Sequence, residues 1–147
     1  ARPGSVRSAA TKVAYVFSSG GLIANLSAID NIVLPLRFAG VPAATAEASA
    51  NEVLAGLGLA KVARQRPATL ADEAKQLVQW ARAMAIGAEF LFLEEPFRQL
   101  SPDTTDELAA WLRGELSSGR VSVLMTCTKP EEGACIGARP VPMPRGA

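Results

Sequence analysis

Two short and nearly unbroken apolar runs, Phe90-Leu91-Phe92-Leu93 and Val121-Ser122-Val123-Leu124-Met125, constrain this chain more than any other feature. Such runs lack the polar alternation of a half-solvated strand, so they suit a parallel sheet covered on both faces. Between them Ser101-Pro102 offers an N-cap serine and a proline at the first helical position. Leu108, Trp111, Leu112 and Leu116 then fall on one helical face that would pack on the sheet. Strand, helix and strand in this order make a βαβ crossover, and the expected architecture is an α/β core.

Upstream, Lys12-Val13-Ala14-Tyr15-Val16-Phe17 is β-rich and ends in the turn cluster Ser18-Ser19-Gly20-Gly21, which predicts a strand feeding a loop. Helical patterns run from about Ala43 to Leu57, stopping at Gly58, and from about Ala71 to Ile86, stopping at Gly87. These patterns predict a helical lobe over about 40–88, inserted ahead of Phe90 in a domain spanning 12–139. Residues 1–11 and the proline-rich 140–147 read as tails.

With 49% hydrophobic and 20% charged residues the chain has enough apolar material for a core. Its formal net charge of +1 gives no bulk attraction for nucleic acid, so no nucleic-acid partner is expected. Cys127 and Cys135 are isolated and there is no histidine, which argues against a metal site and predicts two free thiols. No stretch approaches the roughly 18 apolar residues of a membrane span, and Ala1-Arg2-Pro3-Gly4-Ser5 has no signal-peptide core. The expected location is cytoplasmic.

The order of several phrases identifies a family. Val13–Phe17, Asn25-Leu26-Ser27-Ala28-Ile29-Asp30-Asn31-Ile32 and Leu34-Pro35-Leu36-Arg37 are followed by Leu57-Gly58-Leu59, Arg66-Pro67-Ala68-Thr69-Leu70 and Ala81–Ala85. Phe90-Leu91-Phe92-Leu93-Glu94-Glu95-Pro96 and Ser101-Pro102-Asp103 complete the series. Over roughly residues 12–130 this sequence of phrases resembles the ATPase domain of ABC transporters. The resemblance implies a partial P-loop NTPase-like parallel sheet with an inserted α-helical lobe. Gly20–Leu26 is similar to the ATPases of lipid-trafficking and export ABC systems.

The same resemblance implies what each site position should do. Phosphate binding in the family needs G-x-x-x-x-G-K-[ST], which this sequence does not contain, and the segment would precede Lys12. Ser18 stands at the glutamine of the Q-loop, a nucleotide- and magnesium-binding position where a serine also suits an ordinary turn. The signature LSGGQ is matched by Leu70-Ala71-Asp72-Glu73-Ala74, which puts two carboxylates where backbone N–H groups should meet an anion. Thr69 as N-cap with acids in the first turn would be a plain helix start. Glu94 and Glu95 stand at the Walker B acid and the catalytic glutamate, yet would also serve as solvated acids or as partners of Arg98 or Lys129. Ser101 replaces the D-loop aspartate, and Thr128 the switch histidine.

The expectation is therefore a non-catalytic, ABC-ATPase-like subunit. Its partner would be a membrane permease or another ABC ATPase subunit, engaged through Gly20, Leu22, Asn25, Leu26 and Leu36, where the family receives a coupling helix. It would need no cofactor, or ATP and magnesium only where another polypeptide supplies the phosphate loop. The alternatives are a portion of a split or truncated ATPase and a homodimeric scaffold using exposed apolar surface.

Overall fold

The computed structural model describes residues 11–141, so the tails expected at 1–11 and 140–147 lie almost wholly outside the described residues. Strands β1 (Val13–Val16), β2 (Phe90–Glu94) and β3 (Ser122–Thr126) form one parallel sheet in the order β1-β2-β3. Val13 aligns with Phe90, and Phe90 with Ser122. Helices α1 (Ala28–Phe38), α2 (Ala43–Gly56) and α3 (Asp72–Ile86) lie between β1 and β2; α4 (Pro102–Ser117) crosses from β2 to β3, and the short α5 (Pro130–Ala134) follows.

Side-chain alternation and parallel register sort the sheet into two faces. Ala14, Val16, Leu91 and Leu93 are buried on one face and join a core with Leu77, Val78 and Trp80 of α3 and with Leu108 and Leu112 of α4. The other face carries Val13, Tyr15, Phe90, Phe92 and Leu124, and here the sequence expectation of a sheet covered on both faces fails. Tyr15 is 47% exposed and Leu124 57%. The aromatic rings stack on one another instead, with Tyr15 at 5.0 Å from Phe92 and 5.8 Å from Phe17, centroid to centroid. The described residues supply helices to one face only, although parallel strands of this composition are suited to cover on both.

The crossover helix follows from its sequence. Ser101 has extended backbone, its hydroxyl accepts from the Thr104 N–H, and Pro102 occupies the first turn. Replacing Ser101 with alanine is expected to cost about 1 kcal/mol in chemical denaturation. Helix α3 ends as its glycine suggests, with Gly87 in the left-handed region at φ 63°. Its start differs from expectation. Thr69 is not the N-cap; it belongs to a 3-10 turn, Pro67–Thr69, and its hydroxyl donates to the Arg66 carbonyl at 3.0 Å. Ala71 takes the cap position with no side-chain hydrogen bond, so the first-turn acids Asp72 and Glu73 alone complement the exposed N–H groups.

Helix α1, which periodicity did not single out, is capped by Ser27, whose hydroxyl meets the Asp30 N–H at 3.2 Å and the Asp30 carboxylate at 2.5 Å. It carries Pro35 inside it and still buries Ile29, Ile32 and Leu36.

Candidate functional site

The parallel register places the loops after β1 and β2 side by side at the carboxyl end of the sheet, where α/β folds of this kind assemble their sites. Ser18 and Glu94 meet there: the Ser18 hydroxyl donates to Glu94 Oε1 at 3.4 Å. Glu95 is next to them in the chain but differently engaged. Its N–H donates to the Thr126 carbonyl at 2.9 Å, tying the loop to β3, and its carboxylate pairs with Arg98 at 3.1 Å. It is the one non-glycine residue among those described with positive φ, at 41°. A left-handed L-residue costs on the order of 1–2 kcal/mol, and here the fixed backbone contacts on either side offset it.

The loops after β1 and β2 are held further by one face of α3 that sequence reasoning missed. Gln79 is fully buried; its Oε1 accepts from the Phe17 N–H at 2.9 Å, while its Nε2 donates to the carbonyls of Phe17 at 3.2 Å and Gly20 at 3.1 Å. One turn on, Arg82 donates to the Gly21 carbonyl at 2.8 Å. Partial burial of that guanidinium lowers its pKa from the ordinary arginine value. The loop after β2 is held in the same way. Gln76 donates to the Glu95 carbonyl at 3.2 Å and accepts from the Gln99 N–H at 2.9 Å, and the Trp80 indole donates to the Pro96 carbonyl at 3.1 Å. Residues 76, 79, 80 and 82 thus fix the loops after β1 and β2 from a single helix. No spacing rule reveals this, because the partners lie up to 62 positions apart.

Gly21 belongs to the clamp. At φ 75° it occupies the left-handed region, and a Cβ there would lie 2.5 Å from Gln79 Oε1 and 2.8 Å from the Phe17 ring. Gly20, at φ 71°, faces open space. From this loop the chain runs through half-buried Leu22, exposed Asn25 and half-buried Leu26 into α1. Buried Asn31 holds that passage: its side chain accepts from the Ile23 N–H at 2.7 Å and donates to the carbonyls of Ile23, Leu26 and Ser27.

Beside the loop lies a groove of about 420 Å³, lined by Val13, Tyr15, Phe17, Ile23, Leu34 and Phe38 among others. Leu36, expected to present itself to a partner, is corrected by the structure: it is 5% exposed and packs in the core, because α1 turns that side toward α2 and α3. Phe38, at 86% exposed, takes the outward position instead.

The residues at the signature position also have local roles. Asp72 pairs with Lys75 at 2.9 Å, and the Glu73 carboxylate accepts from the Ser101 N–H at 2.9 Å, which lowers its pKa from 4.5. Thr128 lies exposed after β3. A hydroxyl and a carboxylate such as Ser18 and Glu94 are donor types that magnesium accepts. No group of three or more acidic or soft ligands is placed to hold a metal among the described residues, no phosphate-loop motif occurs in the 147 residues, and carboxylates occupy the signature position. No helix of the described residues is long and apolar enough to cross a membrane.

No family model matches the chain. Individual relatives do. It is 34% identical over 127 residues to an uncharacterised ABC transporter ATP-binding protein of Thermotoga maritima, covering 85% of this chain and 54% of that protein. Over 113 residues it is 35% identical to the lipoprotein-releasing system ATP-binding protein LolD of Maricaulis maris, covering 77% and 49%. It is 32% identical over 112 residues to the macrolide export ATP-binding/permease protein MacB of an Azoarcus strain, covering 76% and 17%. Among solved structures it matches an ATP-binding cassette captured as a dimer in a post-hydrolysis state with ADP and Pi, at TM-score 0.75 and 25% identity over 85% of this chain and 56% of that one. An inward-facing ABC transporter shares the fold at TM-score 0.67. The chain spans about half the length of the first two of these relatives. Over most of its own length the chain is therefore a homologue, by sequence and by fold, of the ATP-binding proteins of ABC transporters.

Proposed function

We propose that this chain is a non-catalytic, ABC-ATPase-like component of a transport system that docks a permease helix or another partner protein at the groove beside β1. The observation that supports this reading is the presence of acids at the signature position together with a loop after β1 held in place by buried side chains. Carboxylates sit at the signature position and Glu95 forms an ion pair with Arg98, whereas Gln79, Arg82 and Asn31 hold the segment from Phe17 to Ser27 in place. Four of its large exposed side chains, Val13, Tyr15, Ile23 and Phe38, line the same groove. A permease would bring the chain to the inner face of a membrane. The names of the lipoprotein-releasing and macrolide-export relatives support an export-type system over an import-type one.

Two measurements test it. Calorimetric titration with Mg-ATP, beside ADP and magnesium alone, is expected to give no saturable heat up to about 1 mM nucleotide, near a binding free energy of only about 4 kcal/mol. Saturable micromolar binding would sink the non-catalytic reading. Phe38→Asp is expected to change stability by less than about 0.5 kcal/mol, because a side chain kept for docking has no structural duty. A loss above about 1 kcal/mol would make Phe38 a packing residue and remove the docking argument.

A second reading, a portion of a split or truncated ATPase whose phosphate loop lies on another polypeptide, is favoured by the approach of Ser18 to Glu94 and by the half-length match to the relatives. It requires nucleotide binding to appear when the complementary half is added.

A further inference from the structure

A second cavity, sharing no lining residue with the groove beside β1, lies between the C-terminal end of α2, helix α3 and the stripe of α4 that carries Glu107, Leu108 and Trp111. Its volume is about 1090 Å³, at or above the upper limit of about 1,000 Å³ for small-molecule pockets. The floor is apolar: Leu57, Met84 and Trp111 are half-buried and Leu108 is buried beneath them. The rim is acidic. Glu52, Glu89 and Glu107 all line the cavity, and none has an ion-pair partner among the described residues.

Among the described residues only one cation lines the cavity, and it is already engaged. Arg120 donates from Nε to Glu115 Oε2 at 3.0 Å and from Nη2 to Glu115 Oε1 at 2.9 Å. Subtracting that pair leaves three carboxylates around an apolar trough on a chain whose formal net charge is +1. The negative field is therefore local to the cavity and is not a property of the whole surface.

We infer that this cleft is a docking site for a basic amphipathic helix of a partner protein. Apolar side chains at i, i+3, i+4 and i+7 would enter the trough over Trp111 and Met84, and lysines or arginines flanking them would meet Glu52, Glu89 and Glu107. An acidic or neutral helix would leave those carboxylates desolvated without partners. This site is independent of the groove proposed above, so either proposal stands if the other fails.

The test uses the intact chain and a Leu/Lys peptide of about 14 residues, roughly four helical turns, with leucines at the stated spacing and no aromatic residue. Trp111 lies in the cleft and Trp80 is fully buried, so peptide binding is expected to give a saturable blue shift of tryptophan emission. Raising salt to about 0.5 M is expected to weaken binding about tenfold, as is the triple variant Glu52→Lys, Glu89→Lys, Glu107→Lys. A Glu131→Lys, Glu132→Lys variant, changed outside the cleft, should bind like the unaltered chain. Three results would each overturn the inference: no shift up to about 1 mM peptide, equal binding of a Leu/Glu peptide, or insensitivity to both salt and the triple variant. The salt and Leu/Glu arms need no substitution, so they decide the matter even where the triple variant does not fold.

Discussion

Trp80→Ala is expected to remove about 3–5 kcal/mol of stability, a large part of the roughly 5–15 kcal/mol that holds a domain folded. The indole is fully buried, stacks on Phe97 at 5.9 Å, meets the Trp111 ring edge-on at 6.2 Å and donates to the Pro96 carbonyl. Truncation would open a cavity at the junction of α3, α4 and the loop after β2, and would leave the Pro96 carbonyl unpaired. The midpoint of thermal unfolding should fall by roughly 10–20 °C. Trp80→Phe separates the two contributions, since it keeps a ring against Phe97 and loses only the donor and some volume. It should cost about 1–3 kcal/mol. Equal losses for the two variants in denaturant titrations would mean that packing contributes little and that the Pro96 bond carries the effect.

The second large effect is expected at Gly21. A valine there meets two independent penalties: a β-branched residue at φ 75°, worth about 1–2 kcal/mol, and a Cβ 2.5 Å from Gln79 Oε1. Gln79 would have to move, giving up three hydrogen bonds worth roughly 0.5–1.5 kcal/mol each. The sum is roughly 2.5–6.5 kcal/mol. Gly20 is the internal control, because it has a similar φ and open space around its Cβ position. Gly20→Ala should cost only about 1 kcal/mol, from the backbone alone. If Gly21→Ala and Gly20→Ala destabilise equally in denaturant titrations, Gln79 does not hold the loop in the way described.

The contrast between these two glycines marks how far the sequence could be read. Ser18-Ser19-Gly20-Gly21 announced a turn because glycine punctuates local backbone, and Gly87 ended α3 for the same reason. Strands β2 and β3 were legible as apolar runs, and α4 from its serine-proline start. Helix α1 was obscured by Asn31 and Pro35, residues that ordinarily interrupt helices; tertiary use of Asn31 as a loop clamp and burial of Ile29 and Ile32 outweigh that local preference. Thr69 looked like a cap because threonine is a good one, yet the 3-10 turn claimed it first. At the candidate site the sequence located Ser18, Glu94 and Glu95 but not Gln76 and Gln79. A buried glutamine spanning 62 positions has the same one-letter appearance as a surface one.

Leu36 illustrates the same limit from the other direction. The phrase Leu34–Arg37 was matched to a docking region, but helical geometry can present only one side of α1 outward, so Phe38 is exposed and Leu36 is in the core.

The open aromatic face of the sheet has a practical consequence. Tyr15 is the only tyrosine in the chain, and it stands on that face from the edge strand β1, stacked between Phe17 and Phe92. Its phenol is therefore a natural single-site reporter. Nitration yield or near-ultraviolet ellipticity at the tyrosine band would follow the covering of the sheet without any introduced label, and would do so separately from the two tryptophans, which lie in the core and in the acidic cleft.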